Sequence, residues 1–294
     1  MRTYDGRTAV ITGAGSGIGR ALAIELAGRG ARLALSDVDE DAVAATVADC
    51  RALAAEAHAY RLDVTDRAEV FAHAEQVAAD FGAVHLMVNN AGVALHGPVA
   101  ELTEPDMRWV MEIDYWGVVH GSQAFLPHLA RSGDGQLANL SSVFGLVAVP
   151  KQAAYNAAKF AVRGFTEALR QECLLDGTPV AVSCIHPGGV RTAIAARARV
   201  TASEDSGETA RAFDKLARTS PPRAARTIVR GLERDRPRIL VGPDAWVLAA
   251  LPRLLGVRYE ALVVGGARRM LPPAEAARTP GMLPRHHGGD AARS

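Results

Sequence analysis

The segment TGAGSGIG, residues 12–19, places four glycines in eight positions between the β-branched run TAVIT at 8–12 and the alanine-rich run IGRALAIELAGRG. A strand that enters a tight glycine turn and leaves as a helix is the opening of a βαβ unit, and a βαβ unit commits the chain to a parallel sheet. The remaining sequence repeats the alternation. ARLALSD, AHAYRLDV at 57–64, VHLMVNN at 84–90, GQLANLSS, VAVSCIHPGG at 180–189 and RILVG at 238–242 read as further strands. Between them, DEDAVAATVADCRALAAE, RAEVFAHAEQVAADFG, MRWVMEIDYWGVVHGSQAFLPHL and AYNAAKFAVRGFTEALRQEC carry helical periodicity.

Helices that alternate with apolar strands must cover both faces of the sheet they connect. The predicted fold is therefore α/β: a three-layer, doubly wound, mostly parallel sheet of Rossmann type. One domain, 1–245, holds the sheet, with a C-terminal elaboration over 246–275 and a flexible tail over 276–294. Residues 190–225 are polar and rich in turn formers, and suit a mobile flap.

Composition narrows the function classes. The 33 basic and 32 acidic groups nearly cancel, which gives no whole-chain argument for nucleic acid or an anionic membrane. Cys50, Cys173 and Cys184 are widely spaced and odd in number, as reduced thiols would be. The N-terminal residues run into a strand signal without the apolar stretch of a signal peptide, so a cytoplasmic location is expected. From Ala245 the segment AWVLAALPRLLGVRYEALVVGG is the most membrane-like, yet Pro252, Arg253, Arg258 and Glu260 interrupt it. Peripheral membrane contact or a dimer-forming helix is the lesser expectation there.

The glycine loop favours a dinucleotide over an ordinary turn because of its flanks. Gly13, Gly17 and Gly19 allow the turn, the backbone approach and the close helix packing that a pyrophosphate at a helix N-terminus requires. A Walker loop is disfavoured, since no Gly-Lys-Ser/Thr ending follows. Asp37 ends the second strand, where a carboxylate accepts from both adenosine ribose hydroxyls and repels a 2′-phosphate. With Ser16 rather than a basic residue before Gly17, NAD is favoured over NADP.

The stretch AAYNAAKF, 153–160, sets Tyr155 and Lys159 four apart, on one face if helical. Spacing alone leaves a packed tyrosine and a snorkelling lysine open. Taken with TGAGSGIG, Asp63 and Val64, NNAG at 89–92, Ser142 and PGGVRT at 187–192, it resembles the short-chain dehydrogenase/reductase family over residues 5–242.

The resemblance implies that Tyr155 is the general acid/base, that Lys159 favours tyrosinate and binds nicotinamide ribose, and that Ser142 orients the reacting oxygen. Ser16, Ile18, Asp63, Val64, Asn90, Ala91, Gly92, Pro187, Gly188, Val190 and Thr192 would line the rest of the cofactor site, with no metal required. It also implies a homodimer or homotetramer built in part on the helix bearing Tyr155. The departure is Asp114, where many family members carry asparagine: a carboxylate there supports the lysine ammonium and opposes tyrosinate. A serine nucleophile is poorly supported because no GxSxG elbow occurs. The apolar runs VALHG at 93–97, VFGLVAVP at 143–150 and VRTAIAARA at 190–198 suggest a nonpolar alcohol or ketone, with Phe144 and Leu146 as pocket candidates. The alternative is a dinucleotide-binding scaffold or regulator whose turnover is impaired.

Overall fold

A computed structural model describes residues 2–270. The expected tail at 276–294 and the last residues of the 246–275 elaboration lie outside the described residues. The first half runs β1 (Thr8–Thr12), α1 (Gly17–Ala27), β2 (Arg32–Asp37), α2 (Glu40–Arg51), β3 (Ala57–Arg61), α3 (Arg67–Phe81) and β4 (Leu86–Asn89). Then come the two-residue β5 (Leu95–His96), α4 (Glu104–Met111), a π-helical segment Glu112–Trp116, α5 (Gly117–Arg131), β6 (Gly135–Leu140) and α6 (Ala153–Asp176). The chain continues through β7 (Val180–Pro187), β8 (Arg199–Val200), α7 (Ser206–Leu216), α8 (Pro221–Leu232), β9 (Arg238–Val241), α9 (Pro243–Leu255) and α10 (Tyr259–Met270).

Seven strands form one parallel sheet in the order β3-β2-β1-β4-β6-β7-β9. Period-two alternation sends neighbours in one strand into different cores. Ile11 joins Leu22, Leu26, Ile228 and Leu232 on the face covered by α1 and α8. Val10 faces the other way, among Phe81, Phe125, Leu129 and Cys173 from α3, α5 and α6. Because helices lie on both faces, every residue of β1 and β6 is buried. Burying each large side chain contributes about 1.5–3 kcal/mol, so the two layers supply most of what holds the sheet.

The helix starts are set by short acceptors. Asp39 and Asp66 accept from the amides of Ala42 and Glu69, each at 3.0 Å, and cap α2 and α3. Gly177, in the left-handed region at φ 69°, ends α6.

Two expectations change. The single helix predicted across 107–129 is α4 and α5 joined by the π-helical turn, which carries Asp114 into the interior at 0 % exposure. Wide turns of this kind occur where a side chain must be re-aimed inside a helix. The flap predicted at 190–225 holds β8, α7 and the start of α8. None of α7 is buried, so its polar sequence reflects a helix lying on the surface.

The sheet grows in one direction from β1 through β2 to β3, and in the other through β4. The loops leaving β1 and β4 therefore diverge, and the crevice between them is where an open α/β sheet binds its ligand.

Candidate active site

At that crevice the glycines are required by contact. Gly13 and Gly17 take φ values of 62° and 56°, which disfavour any side chain. A Cβ on Gly19 would lie 2.2 Å from the Gly13 carbonyl oxygen, and one on Gly13 would lie 2.8 Å from Ala91 Cα. Asn90 braces this approach. Its Nδ2 donates to the carbonyls of Thr12 at 2.8 Å and Gly13 at 3.0 Å, while Thr12 Oγ1 accepts from the amides of Asn90 and Ala91.

Ser16 precedes α1 without a side-chain capping bond, and Ile18 packs half-buried on the core behind it. Asp37 sits beside the loop, its Oδ2 accepting from the Gly15 amide at 2.9 Å. The Asp63 carboxylate accepts from the Thr65 amide and hydroxyl at 2.9 and 2.8 Å. Val64 is buried, and its carbonyl meets His120 Nδ1 at 3.1 Å.

On the far wall Pro187 closes β7, and the Gly188 amide donates to the Val241 carbonyl at 2.9 Å. Val190 is buried and bridges Thr219. Thr192 returns to the glycine loop, its Cγ2 lying 3.3 Å from where Gly17 would carry a Cβ. The first loop, Asp37 and the 187–192 segment thus form one cradle, with backbone where a side chain would fill it. That shape and chemistry fit a dinucleotide.

The serine, tyrosine and lysine singled out in the sequence lie together beside this cradle. Ser142 follows β6 and caps a short turn at Val143–Gly145, its Oγ accepting from the Phe144 amide at 3.1 Å. Tyr155 and Lys159 stand one turn apart at the start of α6. Lys159 Nζ donates to the Leu140 carbonyl at 3.2 Å and lies 5.5 Å from the centre of the Tyr155 ring. Ser141 Oγ donates to the Lys159 carbonyl at 2.8 Å, pinning α6 to the end of β6. Asp114 Oδ2 lies 3.0 Å from Lys159 Nζ as an ion pair, while its Oδ1 accepts from the Val93 amide at 2.7 Å. Gly92 passes beside this pair, and a Cβ on it would sit 3.3 Å from Asp114 Oδ1.

Burial raises the Tyr155 phenol above its ordinary range; Lys159 lowers it, Asp114 raises it and a Ser142 hydrogen bond lowers it. Burial opposes the Lys159 ammonium, but the attraction of Asp114 and Tyr155 leaves it above the usual lysine value. Burial pushes the Asp114 carboxyl up, with Lys159 and the Val93 amide pulling it back. The geometry favours the charged pair, since the carboxylate accepts an amide and faces an ammonium. Tyr155 itself is only half-buried, so the phenol stays open to a reactant.

The sequence pattern of this site and its fold together match a family model. The model for short chain dehydrogenases covers residues 7–203. The chain belongs to the short-chain dehydrogenase/reductase family. The chain is 51% identical over 276 residues to SadH of Mycobacterium tuberculosis, named as an oxidoreductase, covering 94% of this chain and all of that one. It is 34% identical over 192 residues to estradiol 17-beta-dehydrogenase 11 of Mus musculus, covering 65% of this chain and 64% of that one. Among solved structures, a short-chain dehydrogenase/reductase from Burkholderia phymatum in complex with NAD superposes with a TM-score of 0.81 at 35% identity. That match covers 86% of this chain and 95% of the other. The dehydrogenase is thus an oxidoreductase of a nicotinamide-using family.

Two residues of the site escape a reading of the sequence. His186 is fully buried in β7, its Nδ1 2.9 Å from the Ser142 carbonyl, and burial lowers its pKa to about 4, so it is neutral near pH 7. Asp244, in the first turn of α9, accepts from the Gly189 amide at 2.6 Å and so ties that helix to the 187–192 segment. Only the Gly242-Pro243-Asp244 run, a helix start, hints at the second.

Proposed function

We propose that this dehydrogenase uses NAD to interconvert a largely apolar secondary alcohol and its ketone. The observation that carries the reading is a half-open Tyr155 whose helix also holds Lys159, 5.5 Å from its ring, with Ser142 at the adjoining strand end. The Gly13, Gly17 and Gly19 loop, Asp63, Val64, Ala91, Gly92 and the 187–192 segment would hold the dinucleotide. NAD supplies the hydride acceptor and its reduced form the donor.

The chain's own residues control the proton and the geometry. Tyr155 takes a proton from the alcohol hydroxyl, or returns one to the carbonyl oxygen. Lys159 favours the tyrosinate that the first direction needs, and Ser142 donates to the reacting oxygen and fixes its position. Asp37 supports NAD over NADP, because its carboxylate stands where a 2′-phosphate would be repelled.

For the substrate, Phe144 stands perpendicular to Tyr155 with ring centres 6.2 Å apart and is half-buried, which suits an apolar wall. Leu146, two residues further on, is buried at 8 % exposure. The outward residues Phe160, Leu174 and Leu175 of α6, 39–86 % exposed, support a homodimer or homotetramer through that helix. A second reading, a cofactor-binding regulator without turnover, draws on the Asp114 charge, which opposes tyrosinate. Against it, Asp114 pairs with Lys159 without taking it away from Tyr155.

The test is NAD-dependent oxidation and NADH-dependent reduction over a broad panel of alcohols and ketones, comparing the native chain with Tyr155→Phe. Activity in the native chain that falls by a factor of about 10²–10⁴ in the variant is expected. Equal activity of the two would remove Tyr155 from the reaction, and NAD binding without turnover on any member would favour the regulator.

A further inference from the structure

The helical hairpin of α9 and α10 presents a surface that is exposed among the described residues. Within α9 only Ala245 is buried. Trp246, Val247, Leu254, Val257 and Leu262 stand 57–79 % exposed. Val247 and Leu254 are two turns apart on one helix face, with Trp246 beside Val247, so the exposure forms a stripe rather than scattered single residues.

The same hairpin is cationic. Arg253, Arg258 and Arg268 are exposed, and among the described residues none has an acidic partner. The opposing charges are few: Glu260 is exposed on α10, whereas Asp244 turns inward to the Gly189 amide. Arg253 also lines a recess of about 260 Å³ with Arg170 and Arg238, where the one acid, Glu167, already binds Arg163 and Arg238.

An exposed apolar stripe with a tryptophan, flanked by unpaired arginines, fits the boundary between anionic headgroups and acyl chains. A second copy of the chain fits it poorly. Two such faces brought together by a two-fold axis would oppose their own arginines, with Glu260 the one exposed acid of these helices among the described residues to offset them. No helix among the described residues is long and apolar enough to cross a membrane, so the contact is interfacial. We infer that the α9–α10 hairpin docks this dehydrogenase on an anionic lipid surface.

The placement has a structural logic. α9 packs against the 143–145 turn that follows Ser142, and Asp244 fastens its first turn to the 187–192 segment. The first turn of α9 thus adjoins the site, while the helix runs back along the sheet and sets Arg253 beside Pro237 and Arg238 at the start of β9.

The experiment is flotation of the full chain with vesicles of phosphatidylcholine alone and of phosphatidylcholine mixed with phosphatidylglycerol. Binding to the mixed vesicles, released by salt, is expected, with a blue shift in tryptophan emission that Trp246→Phe abolishes. The double variants Leu254→Ser/Val257→Ser and Arg253→Ser/Arg258→Ser should each lower the partition by about tenfold or more. Both change only exposed side chains, and activity on a soluble substrate should be unchanged. The inference is overturned if the mixed vesicles bind no better than the neutral ones, or if the variants partition as the native chain does. It is equally overturned if Leu254→Ser/Val257→Ser converts an oligomer to a monomer by light scattering, which would assign the hairpin to a second copy. Flotation needs no turnover, so its failure is separable from failure of the catalytic reading.

Discussion

Replacing Asp114 with asparagine tests how the site sets the acidity of its tyrosine. Asp114 Oδ2 is 3.0 Å from Lys159 Nζ, which is 5.5 Å from the centre of the Tyr155 ring. The carboxylate is therefore no farther from the ring than those distances laid end to end, about 8.5 Å. At an effective dielectric near 20, a unit charge at that distance interacts by about 2 kcal/mol. At about 1.36 kcal/mol per tenfold, this is a factor of about 25 in the balance between phenol and tyrosinate. The carboxylate opposes tyrosinate, so removing it lowers the phenol pKa. Alcohol oxidation requires tyrosinate and rises with pH through that pKa, so the acid limb of kcat/KM moves down in Asp114→Asn. At a fixed pH below the limb, oxidation should be faster by about 25-fold. The asparagine oxygen still accepts the Val93 amide, which keeps the local structure, but Lys159 loses its counter-charge and some stability is expected to go with it. The assay is a pH profile of kcat/KM for NAD-dependent oxidation, with circular dichroism to show that both proteins are folded. A limb that stays put, or moves to higher pH, would refute the charged pair.

Other outcomes follow from contacts described above. Asp37→Ala should raise KM for NAD by about 10–100-fold through loss of charged hydrogen bonds and should narrow the preference over NADP, measured by initial rates with both cofactors. Gly19→Ala sets a methyl group 2.2 Å from the Gly13 carbonyl oxygen, so NAD binding measured by fluorescence titration should be lost or severely weakened. Leu129→Ala empties a fully buried position in the core under β6 and should cost about 2–5 kcal/mol in denaturant unfolding.

The parallel sheet was readable because its inner strands β1, β4 and β6 are apolar runs buried on both faces, and the caps of α2 and α3, Asp39 and Asp66, stand where a capping residue is expected. The cradle was readable for a related reason: at Gly13, Gly17 and Gly19 backbone contact itself excludes side chains, so the residue type carries the geometry. Tyr155, Lys159 and Ser142 come together because a helix and a strand end hold them in fixed register. The π-helical turn was hidden, since it depends on Asp114 meeting Val93 and Lys159 across the fold, and no local propensity encodes that meeting. His186 was hidden similarly, as a histidine inside an apolar strand whose partner is a distant carbonyl. The helix α7 did leave a trace. Asp205 precedes Glu208 by three residues and accepts from its amide at 2.7 Å, a start signal masked by the polar residues around it.

The π-helical turn at Glu112–Trp116 also makes the length of this stretch a fixed quantity. A π-turn holds about one residue more than an α-turn, so deleting one residue there would let α4 and α5 join as ordinary helix with their relation kept. Val110, fully buried beneath α6, would keep its seat, while the side chains of the turn would be re-aimed and Asp114 would lose its position against Lys159. The extra residue is therefore what aims Asp114 at Lys159, and a single-residue deletion would break that pair while leaving the packing of α4 on α6 in place.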